Sequence, residues 1–365
     1  MKLSVPENIE TLIPYPPGKP LEELEREYGI SDSIKLASNE NALGPSPKAT
    51  AAIAKALTNL HRYPDGSCYY LANRLAEKIG VKPEELVFGN GSNEIIELLV
   101  STFLLPGEEV ITSHPSFLVY QKMVQSQGGI NRVIELKDLH HDLDKIAAEV
   151  NDKTRLIFLD NPNNPTGTVF GREEFAAFLE KIPETVIVVL DEAYVDFVDD
   201  ESRLDARDYL YHQTPVVALR TFSKAYGLAG LRVGFGIMRP EIADYLHRLR
   251  QPFNVNTLAQ IGALACLDDD EHYQKTMTMT KEGMAWLHEE IKKLGCRPLS
   301  SHANFFLVDV GVSGKLLYEQ MLHKGVIIRP MAAYGFPNFI RITIGTPAEN
   351  QRLITAMADS LQELK

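Results

Sequence analysis

An α/β architecture, with a large, mostly parallel sheet of the seven-stranded type sandwiched by helices and joined to a smaller α+β domain, is predicted by three observations. From about residue 70 the chain alternates helical stretches with short apolar runs, the pattern of crossover connections between parallel strands. The runs Leu86-Val87-Phe88, Val110-Ile111-Thr112, Leu156-Ile157-Phe158-Leu159, Val186-Ile187-Val188-Val189-Leu190 and Val216-Val217-Ala218-Leu219 are apolar throughout or nearly so, as strands buried on both faces require. Each run stops at a polar cluster, and open α/β sheets bind ligands beyond the carboxyl ends of their strands.

Taken in order, the chain opens on Ile13-Pro14-Tyr15-Pro16-Pro17-Gly18-Lys19-Pro20, an extended arm, since its prolines fix φ and withhold backbone donors. A short helix is expected over 21–28, then a strand at Ile34-Lys35-Leu36 that breaks into a polar loop closed by Gly44-Pro45-Ser46-Pro47. Residues 49–60 are helical in composition, and His61-Arg62-Tyr63-Pro64-Asp65-Gly66 ends that helix with a proline and a turn-forming Asp-Gly. Beyond Gly230-Leu231-Arg232-Val233-Gly234-Phe235-Gly236 come a helix, a hinge at Gln251-Pro252-Phe253-Asn254-Val255-Asn256 and a long helical pattern over 257–294. Strands at 305–310, 326–328 and 340–344 complete the smaller domain. The expected division is an arm and small-domain segment over 1–36, a large domain over 37–250 and a small domain over 251–365, in keeping with roughly 100–200 residues per domain.

Composition excludes several classes. The chain of 365 residues is 44% hydrophobic and 24% charged, an ordinary globular balance. Its formal net charge of −12, without a run of Lys and Arg to offset it, argues against a nucleic-acid partner. No apolar run approaches the roughly 20 residues that span a bilayer, and Met1-Lys2-Leu3-Ser4-Val5-Pro6-Glu7 lacks the continuous apolar segment of a signal peptide, so a cytoplasmic location is expected. Cys68, Cys266 and Cys296 are unclustered, which predicts reduced thiols and no metal site.

Candidate chemistry concentrates in the strand-end clusters. Lys224 lies in Thr221-Phe222-Ser223-Lys224-Ala225, and a lysine at the mouth of an apolar pocket loses its proton near neutral pH and can condense with an aldehyde. Asp191, in Asp191-Glu192-Ala193-Tyr194, ends a buried strand and needs a cation or donor. A protonated pyridine nitrogen would serve, and the pairing would keep the ring an electron sink. Gly91, Ser92 and Asn93 precede an apolar helical stretch over 95–105, where backbone N–H groups and a positive dipole end suit a phosphate. An ordinary N-cap by Ser92 or Asn93 is an equal alternative. Asn164 and Tyr194 suit a ring hydroxylate, Ser223 and Arg232 the phosphate, and Phe117 the ring face. Taken singly, these residues read as turn, cap, core or surface positions; their joint occurrence at strand ends around Lys224 favours a cofactor pocket.

With Asn161-Pro162-Asn163-Asn164-Pro165-Thr166-Gly167, Asp191-Glu192-Ala193-Tyr194, Thr221-Phe222-Ser223-Lys224-Ala225 and Gly230-Leu231-Arg232-Val233-Gly234, the chain resembles the pyridoxal-phosphate enzymes of the aspartate-aminotransferase fold group. Within that group it most resembles the histidinol-phosphate aminotransferases, through Leu36-Ala37-Ser38-Asn39-Glu40-Asn41, Arg62-Tyr63-Pro64-Asp65-Gly66, Gly325-Val326-Ile327-Ile328-Arg329-Pro330 and Ile340-Arg341-Ile342-Thr343-Ile344-Gly345. The resemblance implies pyridoxal 5'-phosphate as cofactor, Lys224, Asp191 and Tyr194 as catalytic residues, and Gly91, Ser92, Asn93, Phe117, Asn164, Ser223 and Arg232 as further cofactor contacts. It implies a homodimer in which Tyr63 reaches the cofactor phosphate of the neighbouring subunit, and substrate binding by Tyr15, Asn39, Tyr63, Arg329 and Arg341. The implied reaction is amino transfer between L-histidinol phosphate and 2-oxoglutarate; aromatic aminotransferases and phosphothreonine decarboxylases resemble the chain closely enough to stand as alternatives. Phe117 occupies a stacking position often held by tyrosine, which keeps the ring face and loses a hydroxyl.

Overall fold

Seven strands make the large sheet of the computed structural model, which describes residues 3–14, 18–199 and 203–364. Their spatial order is Leu86–Gly89, Gly234–Ile237, Val216–Thr221, Ile187–Asp191, Thr154–Asp160, Glu109–His114, Ile130–Glu135. Gly234–Ile237 runs antiparallel to both neighbours, and the other strands share one direction. Successive side chains point to opposite faces of a strand, so Ile157, Leu159, Val188 and Leu190 enter one core while Leu156, Phe158, Ile187 and Val189 enter the other. Both faces are covered, which explains the lack of polar alternation.

Two of these strands do not announce themselves in the sequence. Ile130–Glu135 is an edge strand whose side chains are mostly exposed, so it carries Asn131, Arg132 and Glu135 rather than an apolar run. Gly234–Ile237 is fully buried but glycine-rich, because a Cβ at Gly234 would collide with the backbone nitrogen of Ser92. The strand thus makes room for the start of the Ser92–Phe103 helix.

The second layer is an antiparallel sheet in the order Arg329–Pro330, Phe339–Thr343, Phe305–Asp309, Arg297–Pro298. Helices Asp270–Lys293, Gly314–His323 and Pro347–Glu363 pack on it through Leu287, Leu317 and Leu353. The helical pattern over 257–294 resolves into Thr257–Cys266 and Asp270–Lys293, the second capped by the Asp269 carboxylate accepting from the His272 backbone N–H. Val255, Ala259, Ala263 and Cys266 join the core of the large sheet, so packing carries that layer beyond residue 250.

The N-terminal segment is built into the second layer. Helix Leu21–Tyr28 buries Leu24 against Ala37, Leu322 and Ile327, and Ile34–Lys35 pairs in parallel with Val326–Ile327. Part of the expected extended arm, including Tyr15, lies outside the described residues. Among the described residues no helix is long and apolar enough to cross a membrane, no His, Cys, Asp or Glu cluster suits a metal ion, and the three cysteines are free and buried.

Candidate active site

The carboxyl ends of the parallel strands open onto a cavity of about 380 Å³. Gly91, Ser92, Asn93, Phe117, Asn164, Asp191, Tyr194, Ser223, Lys224 and Arg232 all line it, together with Tyr120 and Asp160. Residues up to 141 positions apart in sequence are therefore brought together by strand register rather than by local motif.

Lys224 sits just past Val216–Thr221 in a tight turn. Ser223 N–H donates to Thr221 Oγ1 at 3.1 Å and Leu228 N–H to the Phe222 carbonyl at 2.9 Å. Gly227 closes the turn at φ +67°, where a Cβ would strike the Gly44 carbonyl, so only glycine fits. The Lys224 amine donates to the Ser38 carbonyl at 3.2 Å and lies 5.6 Å from the centroid of the Tyr194 ring. Burial, reinforced by the nearby Arg341 charge, lowers its pKa from 10.5 to about 8.

Asp191 lines the same cavity. Its carboxylate accepts from the Tyr120 hydroxyl at 2.7 Å and from Ala193 N–H at 3.0 Å, and among the described residues it makes no ion pair. Burial raises its pKa from 3.8 to about 7, against the Tyr120 hydrogen bond and with help from the Asp160 charge. Tyr120 is held in turn by Phe158, stacked at 4.8 Å, and by Phe117, edge-on at 5.5 Å. A cation placed against Asp191 would recover the cost of burying its charge.

The amino end of the Ser92–Phe103 helix is the side that suits an anion. Gly91 is its N-cap residue, at φ +78°, and neither Ser92 nor Asn93 caps it. A Cβ at Gly91 would come within 2.5 Å of the Arg232 guanidinium, so glycine lets that cation approach the first free N–H groups of the helix. Arg232 itself holds φ +59° and donates from Nη1 to the Ala229 carbonyl at 3.1 Å.

Beside the cavity, which neither Arg341 nor Arg329 lines, runs a polar network. Arg341 donates from Nη1 to Asn164 Oδ1 at 2.5 Å and from Nη2 to the Ala37 carbonyl at 2.8 Å, with its guanidinium 5.0 Å from the Phe305 ring centroid. Arg329 stands directly opposite Arg341 on the neighbouring strand and is half-buried. Asn39 is buried and does not line the cavity; its Nδ2 donates to the Tyr194 hydroxyl at 2.9 Å, while its Oδ1 accepts from Thr343 Oγ1 at 3.1 Å. Its place is thus one of orienting Tyr194. Burial pushes the Tyr194 phenol well above its usual range, against the Arg341 charge. Tyr63 is outside this cavity: it is 82% exposed and stacks on Phe253 at 4.8 Å. Tyr15 lies outside the described residues.

Sequence reasoning missed Tyr120 and Asp160. Asp160 ends its strand in register with Asp191, so strand-end position was an available signal for it. Tyr120 gives none beyond its place three residues after Phe117.

The residues fit pyridoxal phosphate on three observations: an amine of lowered pKa, a buried carboxylate with no ion pair among the described residues, and a helix end that only glycine leaves open to Arg232. A fold of this kind with this cavity suits a pyridoxal-phosphate-dependent enzyme. The sequence profile of the family described as aminotransferase class I and II matches residues 31–357. A histidinol-phosphate aminotransferase from Desulfotalea psychrophila (strain LSv54 / DSM 12343) is 59% identical over 367 residues, 100% of this chain and 97% of the relative. One from Anaeromyxobacter sp. (strain Fw109-5) is 48% identical over 355 residues, 97% of this chain and 98% of the relative. The crystal structure of histidinol-phosphate aminotransferase from Sinorhizobium meliloti in complex with pyridoxal-5'-phosphate superposes with a TM-score of 0.91 at 28% identity, covering 98% of each chain. The chain belongs to the aminotransferase class I and II family and, within it, to the histidinol-phosphate aminotransferases.

Proposed function

We propose that the chain transfers an amino group between L-histidinol phosphate and 2-oxoglutarate, giving imidazole-acetol phosphate and glutamate, as a step of histidine biosynthesis. The observation that supports this reading is the cavity lined by Lys224, Asp191 and Asn164, with Arg341 reaching it through its hydrogen bond to Asn164 Oδ1; the names of the relatives supply the substrate.

Pyridoxal phosphate, when bound, supplies an aldehyde that takes up an amino group and a ring that withdraws electrons from the adjacent carbon. The residues do the rest. Asp191 holds a proton on the ring nitrogen, with Tyr120 orienting its carboxylate. Ser92, Asn93, Ser223 and Arg232 hold the phosphate at the helix end, Phe117 covers the ring face, and Asn164 and Tyr194 hold the ring oxygen. Lys224 would hold the cofactor through its amine and would move the proton at the amino-bearing carbon of the substrate.

Substrate anions fall to Arg341 and Arg329. Histidinol phosphate carries a phosphate and no carboxylate on that carbon, whereas glutamate carries two carboxylates; the guanidinium fork suits both groups. Tyr15 and Tyr63 complete the proposed substrate set, while Asn39 acts on the site through its hydrogen bond to the Tyr194 hydroxyl. The active unit is a cytoplasmic homodimer in which Tyr63 of one subunit reaches the phosphate of the other, a role that its exposed stack on Phe253 supports.

The test is a purified-protein assay offering histidinol phosphate, phenylalanine and phosphothreonine, with keto product and carbon dioxide both followed. The expected outcome is the highest kcat/KM with histidinol phosphate and no carbon dioxide. A preference for phenylalanine would move the chain to the aromatic aminotransferases, and carbon dioxide from phosphothreonine to the decarboxylases.

A further inference from the structure

Beneath the cavity a buried row of polar groups runs from Ser113 through His141 to Asp160, and the reaction outlined above makes no use of its middle member. Ser113 Oγ lies 2.7 Å from His141 Nδ1, and His141 Nε2 lies 3.1 Å from both the Asp160 carbonyl and Asp160 Oδ1. Two acceptors face Nε2, so that nitrogen carries the hydrogen. The Ser113 hydroxyl fixes the other side of the ring.

What Asp160 does with this hydrogen bond is visible on its far side. Its Oδ1 also accepts from Asn163 Nδ2 at 3.0 Å, and its Oδ2 accepts from Asn164 N–H at 2.8 Å. Asn164 Oδ1 in turn accepts from Arg341. The segment from Asn161 to Gly167 has no regular ladder; turn hydrogen bonds such as Asn163 N–H to the Thr168 carbonyl at 2.9 Å and Gly167 N–H to the Asn163 carbonyl at 2.7 Å hold its other residues, while the Asn164 N–H is held by the carboxylate of Asp160. A carboxylate with three donors keeps one orientation; with a donor removed it can rotate, and the backbone hydrogen bond to Asn164 rotates with it.

We propose that His141 is a positioning residue for amino transfer: by donating from Nε2 to Asp160 it fixes the Asn164 side chain between the cofactor ring and Arg341. This rests on the aminotransferase reading of the cavity. The ordinary alternative is a core histidine that only fills space, since its ring also meets Phe170 edge-on at 5.8 Å. The two differ in what they need: a packing role needs bulk, the positioning role needs a donor.

The experiment therefore compares His141→Gln, which keeps an N–H at the far end of the side chain, with His141→Leu, which keeps bulk alone. Each variant is titrated with pyridoxal phosphate, its visible absorption is recorded, and kcat/KM is measured with histidinol phosphate. The expected result for His141→Leu is a loss of roughly tenfold or more in cofactor affinity and in kcat/KM, with a displaced visible band. His141→Gln should stay within about threefold of wild type on every readout. Equal losses in the two variants, or wild-type behaviour of His141→Leu, would overturn the proposal. Should His141→Leu fail to fold, Ser113→Ala leaves the imidazole in place without its anchor and should show a smaller loss of the same kind; no loss there would also overturn it. A wild-type protein that transfers no amino group would defeat the aminotransferase reading instead, while cofactor affinity and the visible band would still judge His141.

Discussion

Lys224 can act as a nucleophile near neutral pH because its surroundings penalise the ammonium form. With its pKa lowered to about 8, the free-base fraction grows as pH rises through that value, so uptake of pyridoxal phosphate by the cofactor-free protein should speed up from pH 7 to 9 and then level off. A stopped-flow profile still climbing toward 10.5 would contradict the assignment. Lys224→Ala should lose turnover and the visible band of the lysine-linked cofactor while melting as a folded protein. Asp191→Asn should bind cofactor better than it turns over, because an amide cannot hold the ring nitrogen protonated; turnover near wild type would remove the carboxylate from that role. Arg341→Leu deletes a charged partner from a buried network, a change that typically costs roughly 2–5 kcal/mol, so kcat/KM should fall more than tenfold for both histidinol phosphate and glutamate. Lys224 and Asp191 were legible in the sequence because each interrupts the end of an apolar strand. Tyr120 was not, since its partner Asp191 is 71 positions away and nothing local marks the contact.

At the scale of elements, five apolar strands could be read directly because burial on both faces removes polar residues from the sequence. The edge strand Ile130–Glu135 escaped because exposure removes that pressure, and Gly234–Ile237 because close approach of the Ser92 helix demands glycine over β-formers. For that helix end the sequence offered two readings, a phosphate site or a side-chain N-cap by Ser92 or Asn93; the structure shows no side-chain cap and supplies the reason for its glycine. Gly91→Ala would force a side chain into a backbone conformation, φ +78° and ψ 166°, that is nearly restricted to glycine, costing about 1–3 kcal/mol, and would press it against Arg232. Affinity for pyridoxal phosphate should fall well beyond affinity for unphosphorylated pyridoxal, measured by equilibrium titration; equal losses would place the phosphate elsewhere.

For the whole molecule, the exposed aromatic group of Tyr63 and Phe253 stands apart from the cavity of its own chain, which is intelligible if a second subunit supplies the missing face. Mixing Tyr63→Ala and Lys224→Ala proteins should then restore activity in heterodimers, where one site regains both groups; no recovery after confirmed subunit exchange would count against sharing. The two-layer architecture was visible in the alternation of helix and strand, whereas the packing of Thr257–Cys266 on the large sheet was not, because an alanine-rich helix suits either core. The parallel pairing of Ile34–Lys35 with Val326–Ile327 bears on how the chain is made. Ribosomes emit roughly 5–20 residues per second, so the long stretch of chain between the paired strands Ile34–Lys35 and Val326–Ile327 leaves the first without its partner for tens of seconds, with the apolar side of Leu24 uncovered. Order of synthesis and order of assembly are thus opposed at this seam, which closes only after Val326–Ile327 has emerged.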